Sequence, residues 1–126
     1  MSFDIERRGE HLLGLANGID RAHRDRLARG EVEIDVELDL HGLGEQDARA
    51  LVRAAIEEAY QEGDRCLLVI HGRGKGSEFG SVLREGLPEW LTAPPAGRRV
   101  MAFATALPRD GGTGASYVLL RRKRSG

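Results

Sequence analysis

Between Val32 and Ala59 the spacing of apolar residues changes from two to three and four, and few folds accommodate that switch. Val32, Ile34, Val36, Leu38 and Leu40 alternate with Glu33, Asp35, Glu37 and Asp39, the period of a strand with one buried face. Gly42-Leu43-Gly44 breaks the strand. Ala48, Leu51, Val52, Ala55, Ile56 and Ala59 then form one apolar stripe, which predicts a helix from about Glu45 to Glu62. Glu45 and Asp47 fall in its first turn, where the helix dipole favours acids, and Gly63 suits the left-handed residue that ends it. From Arg65 to Ile70 the chain is apolar without alternation, as in a central strand covered on both faces. Strand, helix and strand in this order predict a parallel pair joined by a right-handed crossover.

The remaining segments extend this unit. A second helix is expected from about Ser81 to Leu91, with Val82, Leu83, Leu87, Trp90 and Leu91 on its core face and Pro88 kinking or dividing it. Thr92 to Gly97 reads as a turn. Two further strands follow, about Arg99–Thr105 and Ser116–Arg122, separated by a loop that carries Gly111-Gly112-Thr113-Gly114. Ahead of the first strand, Asp20 as N-cap and Gly30 as stop bracket a helix over residues 19–29. It is so polar that it is expected to dock weakly or to serve as an arm. The expected fold is therefore α/β: a four-stranded mixed sheet in β-α-β-α-β-β order with helices packed on it, preceded by an N-terminal helical arm. The boundary falls between a helical extension at 1–31 and a domain at 32–124.

Length and charge narrow the classes. The chain has 126 residues, enough for one core and too few for two. No segment reads as a signal peptide or as the roughly 18 apolar residues of a membrane span. The single cysteine, Cys66, sits inside an apolar run and reads as a buried small hydrophobe. These features point to the cytoplasm. Net charge is −1, but it is divided along the chain. Residues 1–62 hold 8 Arg against 15 acids, a balance of −7; residues 63–126 hold 11 Lys or Arg against 5 acids, a balance of +6. Charge of one sign gathered on part of a surface steers a polyanion even when the molecule is near neutral.

Two segments carry candidate chemistry: Leu38-Asp39-Leu40-His41-Gly42 and His71-Gly72-Arg73-Gly74-Lys75-Gly76. Each puts a histidine and a glycine directly after a strand, at the end where open α/β sheets collect ligands. Histidine gives or takes a proton near neutral pH, and a carboxylate two residues before it can orient it or hold a metal. The glycines of the second segment leave backbone N–H groups open to phosphate, with Arg73 and Lys75 adding charge. The spacing is neither a Walker motif nor a dinucleotide fingerprint, because Gly72, Gly74 and Gly76 give G-x-G-x-G.

These two segments, followed by Gly111-Gly112-Thr113-Gly114-Ala115-x-Tyr117-Val118, resemble in order and spacing the three signature stretches of the Smr (small MutS-related) domain family, in its stand-alone bacterial form. The resemblance covers about Ile34 to Arg122. It implies a fold like the C-terminal domain of a bacterial translation initiation factor, and nuclease activity, either DNA nicking or endonucleolytic RNA cutting. On this resemblance Asp39, His41 and His71 are the candidate catalytic residues. Gly72, Arg73, Gly74, Lys75 and Gly76, with Gly112 and Gly114, are the candidate nucleic-acid contacts.

The expected mechanism has His41, oriented by Asp39, moving a proton while Lys75 or Arg73 stabilises charge on the phosphoryl oxygens. With RNA, the 2′-hydroxyl is an internal nucleophile; with DNA, water must attack, and Mg²⁺ or Mn²⁺ near Asp39 becomes a candidate cofactor. Asp39, His41 and His71 do not form a closed metal site by their spacing, so the metal stays open. The partner is nucleic acid, free or within a ribosome. The alternative function is a non-catalytic module that binds structured nucleic acid or the ribosome. A small-molecule phosphate enzyme is a weaker third reading, since the chain offers no lid or second domain.

Overall fold

A computed structural model describes residues 2–73 and 80–124. The described strands form one mixed sheet of six, not four, in the order β1-β2-β5-β6-β4-β3. The two additional strands, β1 (Phe3–Arg8) and β2 (His11–Ala16), are an antiparallel hairpin at the N-terminus. Arg8 pairs with His11, so only Gly9 and Glu10 make the turn, and Gly9 has φ +63°. Positive φ at the first central residue is the geometry of the II′ turn, whose twist suits two-residue hairpins.

The expected helical arm is thus corrected. Its helix exists as α1 (Arg21–Ala28), with the Asp20 carboxylate accepting the Ala22 N–H at 2.9 Å. It is not a free arm, because Leu27 is buried among Leu68, Met101, Ala104 and Tyr117 on one face of the sheet. The hairpin before it is tied to the sheet edge by antiparallel pairing of β2 with β5 (Val100–Thr105). At that junction Gly14 faces Phe103, and a Cβ on Gly14 would lie 2.2 Å from the aromatic ring. Phe103 is itself buried, so the ring has little room to move. We expect Gly14→Ala to cost about 1–3 kcal/mol through overpacking, read as a lower urea midpoint at unchanged slope.

The central unit follows the apolar pattern closely. β3 (Val36–Asp39) and β4 (Cys66–Ile70) are parallel, linked by α2 (Glu45–Glu62), which ends at Gly63 with φ +82°. β3 is shorter than the alternation from Val32 to Leu40 suggested. Before it, the Asp35 carboxylate takes the N–H groups of Arg65 and Cys66 at 2.7 and 3.1 Å, where a longer ladder would have used backbone. Ala48, Val52, Ile56 and Ala59 of α2 are buried, whereas Leu51 lies at the margin of the stripe and is exposed. α3 (Gly80–Thr92) runs through Pro88 as a single helix rather than two pieces. Leu83, Leu87, Trp90 and Leu91 bury its inner face together with α2.

Antiparallel β5 and β6 (Ala115–Leu120) complete the sheet. The result is three layers: α2 and α3 over one face, α1 over the other, with the sheet between. Cys66 is fully buried, and burial pushes its thiol up to about 12, which suits a core hydrophobe rather than a nucleophile. Among the described residues no helix is long and apolar enough to cross a membrane.

Candidate active site at the ends of the parallel strands

Three strand ends meet at one edge of the sheet. Asp39 on β3 pairs with Ile70 on β4, and Ile70 pairs with Ala115 at the start of β6. Leu40 N–H donates to Ile70 O at 2.8 Å, and the N–H groups of His71 and Gly72 both donate to Gly114 O at 2.9 Å. The two His-Gly segments and the late glycine turn, separated by tens of residues in sequence, are therefore hydrogen-bonded neighbours.

Asp39 and His41 form a local pair. The His41 backbone N–H donates to Asp39 Oδ1 at 3.0 Å, and His41 Nδ1 lies 3.1 Å from both carboxylate oxygens. The hydrogen bond from the His41 backbone, with its side chain contributing less, holds the Asp39 carboxyl below the usual carboxylate range, against some desolvation. An ionised carboxylate only accepts, so Nδ1 carries the proton and Nε2 keeps its lone pair. The imidazole side chain is 77% exposed, so that lone pair is open to an incoming ligand. Gly42, with φ +82°, turns the chain away immediately afterwards.

His71 has the opposite environment. It is 1% exposed. Its Nδ1–H donates to Gly72 O at 2.9 Å, and its Nε2 accepts from Ser116 Oγ at 3.1 Å. Burial lowers its pKa, with the nearby Arg84 charge acting in the same direction and the Gly72 bond opposing both. Both ring nitrogens are occupied, and the neutral form is the one that fits these bonds. Strand alternation also separates the two histidines. Asp39 shares its face with Ile70, and His71, one residue on, points to the face packed by α3. There it lines a cavity of about 130 Å³ with Arg7, Arg84, Thr113 and Ser116.

The glycines of the late turn are accounted for by proximity. Gly111 and Gly112 have φ +114° and +56°, and Gly112 and Gly114 are buried beneath Arg73. A Cβ on Gly114 would come within 3.3 Å of Arg73 Cγ, and one on Gly112 within 3.3 Å of its guanidinium. Arg73 thus lies across the turn with its own side chain exposed. Gly74, Lys75 and Gly76 lie outside the described residues. Among the described residues no cluster of three His, Cys, Asp or Glu forms a metal cage; Asp39, its side chain 53% exposed, is a carboxylate at this end that a divalent ion could approach.

Ser116, as the partner of His71, has no signal in the sequence. It lies 45 residues away, and no spacing rule connects them. Arg7 and Arg84, which reach the same cavity from the hairpin and α3, are likewise brought there by tertiary structure alone.

Comparison with known proteins places the chain in a family. The model of the Smr domain matches residues 38–121. The chain is 34% identical over 106 residues to the ribosome rescue factor SmrB of Shewanella sp. (strain ANA-3), covering 84% of this chain and 56% of that protein. It is 33% identical over 106 residues to the probable DNA endonuclease SmrA of Escherichia coli (strain K12), covering 83% and 55%. The chain therefore spans about half the length of the curated relatives it matches. Among solved structures, YdaL, a stand-alone small MutS-related protein from Escherichia coli, superposes with a TM-score of 0.75 at 30% identity, covering 90% of this chain and 86% of that one. The Smr domain of Thermus thermophilus MutS2 gives a TM-score of 0.59 at 38% identity, covering 69% and 99%. With the family model spanning two-thirds of its residues, and with its motifs brought to one sheet edge, this chain belongs to the Smr domain family.

Proposed function

We propose that the chain is an endonuclease that cuts the backbone of a nucleic acid, with His41 as the group that moves the proton. The observation that carries this reading is the exposed imidazole whose Nδ1 is held by Asp39 and whose Nε2 has no hydrogen-bond partner among the described residues. That is what a general base needs: a fixed ring, an open lone pair and a counter-charge for the imidazolium that forms. Arg73, lying over the glycine turn at the same end of the sheet, supplies positive charge for the phosphate.

On RNA, Nε2 takes the proton of a 2′-hydroxyl and the oxygen attacks the adjacent phosphorus. The bond to the 5′-oxygen breaks, that oxygen takes a proton from the medium, and a 2′,3′-cyclic phosphate is left. On DNA a water molecule is the nucleophile, and a divalent ion at Asp39 would supply Lewis acidity. His71 is assigned as a positioning residue, because both of its nitrogens are spent on Gly72 and Ser116. The relative named as a probable DNA endonuclease supports cleavage, and those named as ribosome rescue factors support a ribosome-associated RNA as substrate.

A second reading, a non-catalytic module that docks on structured RNA or the ribosome, is favoured by the withdrawal of His71. With it buried, no second exposed imidazole stands beside His41 on β3 or β4 among the described residues. A cleavage assay on labelled RNA and on supercoiled DNA, each with Mg²⁺, Mn²⁺ or EDTA, separates the two. RNA cut in EDTA to cyclic-phosphate ends is the expected result. Binding of both substrates with cleavage of neither would establish the docking module instead.

A further inference from the structure

The far end of the sheet carries cations that the site at its near end does not use. Arg65 precedes β4, and its Nε donates to Leu120 O at 3.0 Å. Leu120 N–H returns a bond to Arg65 O at 2.7 Å, and Arg121 N–H donates to Arg99 O at 2.7 Å. The start of β4, the end of β6 and the start of β5 are thus locked together, with Arg65 and Arg122 lining one groove. Beneath them α1 contributes His23 and Arg26 to a groove of about 360 Å³, lined also by Arg65 and Arg122.

The groove holds three arginines against two acids. Asp35 lines the groove, but one of its oxygens already accepts the N–H groups of Arg65 and Cys66. Glu33 is the other carboxylate there, and among the described residues neither it nor Asp35 forms an ion pair with Arg26, Arg65 or Arg122. Burial, and next the charge of Arg122, holds the Arg65 guanidinium below its usual range. Cations crowded against each other cost free energy that a bound polyanion would return.

We propose that Arg26, Arg65 and Arg122 form a second contact for the phosphodiester backbone, at the end of the sheet opposite the His41 site. The two contacts lie at opposite ends of β4, roughly 20 Å apart along the extended chain. β4 and β6 are buried between the helix layers, so a structured nucleic acid that meets both ends passes around the outside of the fold, held by the far contact while the near end acts on it. This rests on the nucleic-acid reading given above, and does not require that the chain cut what it binds.

The test is binding of a fluorescent RNA hairpin and a DNA duplex of about 30 nucleotides, between about 50 and 200 mM NaCl. Arg122 is exposed and makes no side-chain hydrogen bond among the described residues, so Arg122→Glu should keep the thermal midpoint. We expect it to raise Kd about tenfold and to make the salt dependence shallower by about one counterion. Arg53→Glu, the same charge reversal on the exposed side of α2, should change Kd less than about twofold. Unchanged affinity and salt slope in Arg122→Glu, an equal loss in Arg53→Glu, or no binding by the parent protein would each overturn the proposal. A parent protein that binds but never cuts would refute the endonuclease reading and leave this one standing.

Discussion

His41→Ala should lose about 10²–10⁴-fold in cleavage rate while folding as well as the parent. That range is what a positioned general base contributes. The small stability cost follows from exposure: the side chain is 77% accessible and contacts Asp39 alone among the described hydrogen bonds. Substitutions of this kind change stability by no more than about 0.5 kcal/mol. Single-turnover cleavage at saturating enzyme, with a urea melt on the same preparation, reads both. Asp39→Asn should be nearly as inactive, because the amide no longer fixes the tautomer that leaves Nε2 unprotonated. Asp39 is held below the usual carboxylate range, so it stays an acceptor well into mild acid. A His41→Ala protein that cuts at the parental rate would place the chemistry elsewhere.

The largest effect on stability is expected at His71. His71→Ala should cost about 2–4 kcal/mol, from the emptied volume and from Gly72 O and Ser116 Oγ left without the imidazole. The parent should also show a pH dependence that the variant lacks. Burial lowers the His71 pKa in the fold, whereas an unfolded histidine titrates near about 6.5. Between those two values the unfolded chain binds more protons, so stability rises with pH there. The contribution is complete above about pH 6.5 and disappears as pH falls through the lower, folded value. Urea midpoints at several pH values test this: a parent and variant with parallel profiles would show that His71 is not held neutral. Cleavage per folded molecule should fall less in His71→Ala than in His41→Ala, since His71 acts by holding Gly72 against the late glycine turn.

Much of the frame is legible in the sequence because it is local. The alternation at 32–40, the stripe at 48–59 and the unbroken run at 65–70 are patterns that one strand or one helix imposes on its own residues. The N-terminal hairpin escapes such a reading for the complementary reason. Leu12, Leu13 and Leu15 occupy both faces of β2, partly buried against the two cores, so no clean alternation marks the strand. The signal that could have found it is Gly9-Glu10 between two six-residue runs, a II′ turn sequence. What makes those runs strands is the open edge of β5, which the sequence does not announce.

The sequence by itself determined that two histidines would end parallel strands beside glycines, and that Asp39 could reach His41, since residues two apart share a face. It did not determine that the histidines would differ. β3 is the edge strand, so the chain leaving Asp39 meets solvent, while β4 lies between β3 and β6 and its continuation is covered. Ser116 and Gly114 arrive from β6 to close over His71, and α3 seals the face it points into. The same dipeptide is therefore an exposed imidazole after one strand and a buried, hydrogen-bonded strut after the next. Burial is a property of neighbours, and the neighbours are chosen by the order of strands in the sheet.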